Sequence, residues 1–141
     1  FGGTYPAVQD TIDYITFSSN GDATDFGNLT DARDNVQGSS NSTRAVMGGG
    51  RDPSNTNIID YITMASTGDA TDFGDLTAAD YFYTATGNSI RALWIGDSSI
   101  SNAMEFVTIA TQGNAVDWGD QNGDPNHSAG ACSDSHGGLN L

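Results

Sequence analysis

Two stretches of this chain are near-copies of each other, and their spacing limits what the rest can fold into. The first, IDYITFSSNGDATDFGNLT, runs from Ile12 to Thr30, and the second, IDYITMASTGDATDFGDLT, from Ile59 to Thr77. A more divergent third, MEFVTIATQGNAVDWGDQ, runs from Met104 to Gln121. The copies begin 47 and then 45 residues apart. A period of that size belongs to a unit that cannot bury its apolar face alone and stacks on its neighbours.

The substitutions between copies show which positions pack. Ile12, Ile59 and Met104 correspond, as do Tyr14, Tyr61 and Phe106, and then Phe26, Phe73 and Trp118. Each exchange keeps an apolar side chain of similar bulk, as a packed site requires. Alternation places Ile12, Tyr14 and Thr16 on one strand face and Ile15 and Phe17 on the other. Both faces carry apolar groups, so each strand is expected to be covered on both sides. Asn20-Gly21, Thr67-Gly68 and Gln112-Gly113 predict tight hairpins, followed by a second strand from Ala23 to Phe26 and its equivalents. Ala32–Gln37 and Ala79–Thr84 align as a third strand, Ser42–Met47 and Ser89–Trp94 as a fourth. Four short strands per period predict an all-β fold of antiparallel, propeller-type blades. The units are the end of a preceding repeat over 1–10, repeat 1 over 11–57 and repeat 2 over 58–102. A degenerate repeat or cap follows over 103–141. The opening FGGTYP matches the MGGGRDP that begins at Met47, so the chain is expected to open inside a repeat, as a fragment or a processing product.

Composition adds exclusions. Lysine is absent, and the formal net charge is -14. Such a surface repels phosphate backbones and anionic lipid, which argues against nucleic acid or a membrane as partner. No apolar run reaches membrane-spanning length. A lone cysteine, Cys132, excludes an intrachain disulfide framework. Asn28, Asn41 and Asn126 head glycosylation sequons, which matter only in a chain secreted by a eukaryote.

From Ala32 to Thr77 the chain resembles a kelch-type repeat: Gly48-Gly49 end a strand, and Tyr61, Phe73 and Leu76 follow in order. Ile95 and Asp97 depart from the glycine pattern in the second unit. The wording IDYIT…STGDATDFGDLT is similar to repeats of virion structural and tail-fibre proteins of marine tailed bacteriophages, and the SDSHGGL ending is similar to their carboxyl ends. The resemblance implies kelch-like four-stranded blades, incomplete in one chain, because propellers close with about four to eight. It also implies a non-enzymatic virion or extracellular protein, a fibre or appendage serving host attachment or surface presentation. Copies of itself, as a homotrimer or other homo-oligomer, are the expected partners, with a cell-surface glycan or other virion proteins beyond them.

Few residues suggest chemistry. Asp13, Asp60 and Glu105 recur in strands that otherwise bury both faces, so each acid needs a partner. Arg44 and Arg91, from the fourth strand, are the expected partners in structural ion pairs. Paired carboxylates could instead serve acid–base catalysis, but a motif copied in every unit is more often structural. Tyr81, Phe82 and Tyr83 replace polar residues of the first unit and are the candidates for a sugar-stacking, lectin-like site, the alternative to a purely structural role. Asp120, Asn122 and Asp124 alternate as calcium ligands do, but the glycine is misplaced and no closing Glu follows. His127, Cys132 and His136 fit no standard zinc spacing. Ser133 to His136 are hydrolase residue types without a nucleophile elbow. No cofactor is called for.

Overall fold

The computed structural model describes residues 7–81, 83–96, 102–122 and 130–133. Phe82, Asp97, Asp124, Asn126, His127 and His136 lie outside these, so the expectations placed on them have no structural counterpart here.

The described chain is all-β. β1 (Thr11–Tyr14) and β2 (Thr24–Asn28) form a two-stranded sheet. β3 (Gln37–Ser40), β4 (Arg44–Gly48), β5 (Ile58–Thr63) and β6 (Thr71–Asp75) form a four-stranded antiparallel meander. β7 (Tyr83–Gly87), β8 (Arg91–Gly96), β9 (Ala103–Thr108) and β10 (Val116–Asp120) form a second. Each large sheet therefore joins the third and fourth strands of one sequence copy to the first and second strands of the next. No described helix is long and apolar enough to cross a membrane.

The strands differ from the sequence reading in their ends. β3 and β7 begin several residues later than expected. The preceding segments instead carry buried polar side chains, Arg33 and Asp34 in one copy and Asp80 in the other, and Arg33 reaches Asp60 of β5. The Asn-Gly-type pairs do not make tight hairpins. About nine residues join β1 to β2, and Gly68 and Gly113 take positive φ of 152° and 151° where the loop turns toward the preceding sheet. A β-bulge recurs in every copy beside Gly27, Gly74 and Gly119, where the register shifts by one residue. An unpaired residue there bends the strand and increases its twist.

The sheets stack through alternating faces. Val46, Ile59 and Phe73 of the β3–β6 sheet form one core with Tyr83, Ala92, Trp94, Val107 and Ile109 of the β7–β10 sheet. Met47, with Ile62 beside it, points the other way and packs on Ile12 and Phe26 of the small sheet and on Leu29 just after it. Coverage on both sides thus holds for the middle sheet. It fails at the ends: Phe17 is 98% exposed, and Trp118 is 55% exposed although its counterpart Phe73 is buried. Among the described residues no further sheet lies on either side to cover them.

Candidate functional site

The repeating acids sit at the junctions between sheets. Asp60, fully buried, accepts from Arg33 Nη2 at 2.8 Å, from Thr30 Oγ1 at 2.6 Å and from Thr30 N at 3.2 Å. Arg33 is equally buried and also donates from Nε to Gly49 O at 3.0 Å. Glu105 occupies the same place one junction later. Its Oε2 accepts from Thr77 N at 2.6 Å, and its Oε1 lies 3.1 Å from the hydroxyl of Tyr83. Asp13, the first of the series, is exposed.

The expected ion pairs are therefore corrected. Among the described residues neither Arg44 nor Arg91 pairs with an acid; both sit over aromatic rings, Arg44 over Tyr61 at 4.7 Å and Arg91 over Phe106 at 4.6 Å. In β4 and β5, Arg44 stands opposite Thr63 while Asp60 stands opposite Met47, three rungs away. Arg33, which sequence reading left unassigned, is the true partner. A signal for it exists: Arg33, Val36 and Asp60 at the first junction become Asp80, Tyr83 and Glu105 at the second. The cation, its neighbour and the acid change together, so that a tyrosine hydroxyl stands in for the guanidinium.

That substitution seals the tyrosine. Burial, then the charge of Glu105 and its hydrogen bond, push the Tyr83 phenol far above its ordinary range. In the folded chain Tyr83 stays neutral, whereas the unfolded chain ionises near pH ~10. Its contribution to stability is thus complete below pH ~10 and is lost progressively as pH rises beyond that. Alkaline unfolding followed by circular dichroism should begin near pH ~10, and Tyr83→Phe should flatten that limb while costing stability at neutral pH.

Tyr83 is consequently no sugar platform, since its ring is in the core and its hydroxyl is engaged with Ala78 O and Glu105. Tyr81 lies under the Arg51 guanidinium at 4.5 Å. Asp120 and Asn122 are exposed. Among the described residues no three His, Cys, Asp or Glu side chains gather as metal ligands. The asparagines of two sequons are engaged: Asn28 donates to Asp69, and Asn41 to Ser89 O.

A second junction feature went unread in the sequence. The loop after β5 crosses to the open edge of β2, where Gly68 N donates to Phe26 O and Ala70 N to Asn28 O, both at 2.7 Å. Asp69 Oδ1 accepts from Asn28 N at 3.0 Å. One copy later the pattern repeats: Gly113 N donates to Phe73 O, Ala115 N to Asp75 O, and Asn114 Oδ1 accepts from Asp75 N. The outer edges of β2 and β6 are thus capped by the next repeat, which removes the open ladder that invites mispairing there. Gly27 and Gly74 make the approach possible; a Cβ at Gly74 would lie 2.6 Å from the Gly113 backbone. Gly119 has a similar φ of 141° but open space around it. Gly74→Ala is accordingly expected to cost about 1–3 kcal/mol more than Gly119→Ala in urea denaturation. Equal losses would mean that the close contact contributes nothing.

No protein-family model matches this chain, and a search of curated proteins returns no similar sequence.

Proposed function

We propose that this chain is a non-enzymatic structural protein built from kelch-like, propeller-type blades. Its work is to hold a stacked β-surface in a virion fibre or other extracellular appendage, for attachment or surface presentation. One observation carries the reading: every feature that recurs with the period and is enclosed serves the junctions between sheets. Asp60 and Glu105 are enclosed by backbone and side-chain donors from the neighbouring repeat, and the loops of the period cap sheet edges. A catalytic acid needs access to substrate, and these two have none. The assignment to a virion or extracellular setting rests on the repeat wording given above.

Assembly from several copies is part of the proposal, and the aromatic side chains exposed at the ends of the described stack, Phe17 and Trp118, are what support it. Sedimentation equilibrium of the purified chain should give a homo-oligomer, and electron microscopy should show rings or rods of stacked sheets. A single folded monomer at all concentrations would remove the assembly. Turnover of a polysaccharide that is lost on changing Asp60 to Asn, with folding intact, would remove the non-enzymatic role.

A further inference from the structure

Two cavities recur with the period. One, of about 150 Å³, lies beside the ends of β5 and β6, with Tyr61, Thr63, Ser66, Thr67, Asp69 and Thr71 in its wall. The other, of about 210 Å³, holds the same place one repeat later, beside β9 and β10. Its wall has Phe106, Thr108, Thr111, Gln112, Asn114 and Val116 at the corresponding positions. Edge capping is what opens them. Tyr61 and Thr71 form the last rung between β5 and β6. Beyond it the loop leaves to bond β2 through Gly68 N and Ala70 N, and the two strands part. Phe106 and Val116 form the last rung of the next pair, and its loop leaves in the same way to bond β6. The first cavity lies in the middle sheet, which has a sheet stacked on either face. It therefore belongs to the repeat and not to an end of the stack.

What the two copies share identifies the ligand. Both keep an aromatic ring, Tyr61 or Phe106, and both keep a threonine where the first strand ends, Thr63 or Thr108. Ser66 and Thr111 keep a hydroxyl in the loop. These four hydroxyl-bearing residues are exposed, and their hydroxyls bond to no other group among the described residues. Charge is not kept. The carboxylate of Asp69 becomes the amide of Asn114, and in each copy one oxygen of that side chain holds the edge of the preceding sheet. A ligand common to both places is therefore uncharged and read by hydroxyl groups. A metal ion would need several convergent carboxylates, and the described residues gather no such group.

We propose that these cavities are equivalent subsites for a neutral sugar, each taking one ring. Thr63 and Ser66 bond its hydroxyls in the one, Thr108 and Thr111 in the other. An aromatic and aliphatic wall with a few placed polar groups is the usual make-up of a small-molecule site. Here Tyr61 and Ile62, or Phe106 and Val107, supply the wall that the C–H face of a sugar ring requires. Both cavities are smaller than sites for drug-sized ligands, which suits a single ring. A net charge of -14 disfavours acidic sugars at the same place. The inference goes beyond the role proposed above and does not rest on assembly, since both cavities lie within one chain.

The test is proton–nitrogen correlation NMR of the whole chain, titrated with glucose, galactose and mannose, and with glucuronate as the acidic control. At least one neutral hexose should shift the amides of Ser66 to Asp69 and of Thr111 to Asn114 together, saturating in the millimolar range. Glucuronate should bind more weakly. Thr63→Val keeps the side-chain shape and removes the hydroxyl. It should weaken the first subsite about fivefold, the loss of one net hydrogen bond, and leave the second unchanged. Thr108→Val should do the reverse. Both threonines are exposed, so the rest of the spectrum should stay as in the parent and separate loss of binding from loss of fold. Absence of a saturable shift with all three hexoses at decimolar concentration overturns the proposal. So does a shift confined to one loop, a shift that the double variant leaves intact, or glucuronate binding as tightly as the hexoses.

Discussion

Arg33→Ala is expected to destabilise the fold by about 3–5 kcal/mol, the loss that follows when one partner of a buried ion pair is removed. The side chain is 1% exposed and Asp60 is fully buried, so no water replaces the lost guanidinium. Asp60 would keep only Thr30 as donor, and Gly49 O would lose the Nε bond. Urea denaturation followed by tryptophan fluorescence measures the effect. The double variant Arg33→Met/Asp60→Leu should recover most of the loss, because two apolar side chains of similar volume remove the desolvation burden with the pair. A single-variant loss under about 1 kcal/mol would place the pair among surface salt bridges and contradict its burial.

Trp94→Ala should cost a comparable amount, about 3–5 kcal/mol, by opening a cavity between the two large sheets. Trp94 is fully buried in the larger core, and its indole Nε1 donates to Gln37 O at 3.0 Å on the neighbouring sheet. Its ring lies on the bare backbone of Gly48, where a Cβ would come within 3.0 Å. Trp94→Phe keeps part of the volume but loses the donor, and should fall between parent and alanine variant. Trp118 supplies the contrast. It is a tryptophan at the copy position of buried Phe73, yet more than half exposed, so Trp118→Ala should cost far less in the same denaturation series. Equal costs would mean that Trp118 is covered in solution.

Much of the architecture was legible in the chain. The substitutions among Tyr14, Tyr61 and Phe106, and among Phe26, Phe73 and Trp118, marked packed aromatic positions, and the structure pairs those rings in each sheet. Strand type was legible because period-two alternation and β-branched residues act locally. The start of each sheet was less so. A repeat read along the chain has no intrinsic beginning, and the sheets close across two successive copies.

Partner choice was not legible. Arg44 and Arg91 are the arginines that repeat, so pairing them with the repeating acids was the natural reading. Arg33 appears once, and its role passes in the next copy to a tyrosine. Which donor reaches an acid depends on strand register and on which face the acid takes, and both are set when sheets dock. The same holds for the loops of Gly68 and Gly113, whose role is to bond a strand some forty residues earlier.

By itself the sequence determined that this protein is a periodic stack of short antiparallel strands with aromatic pairs at fixed places. Those features follow from side-chain pattern over a few neighbouring residues. Tertiary structure alone decided which cation meets which acid, which strand edges are capped, and which aromatic rings lie under an arginine. Each of these is a relation between segments far apart in the chain, and it exists only once the sheets have stacked.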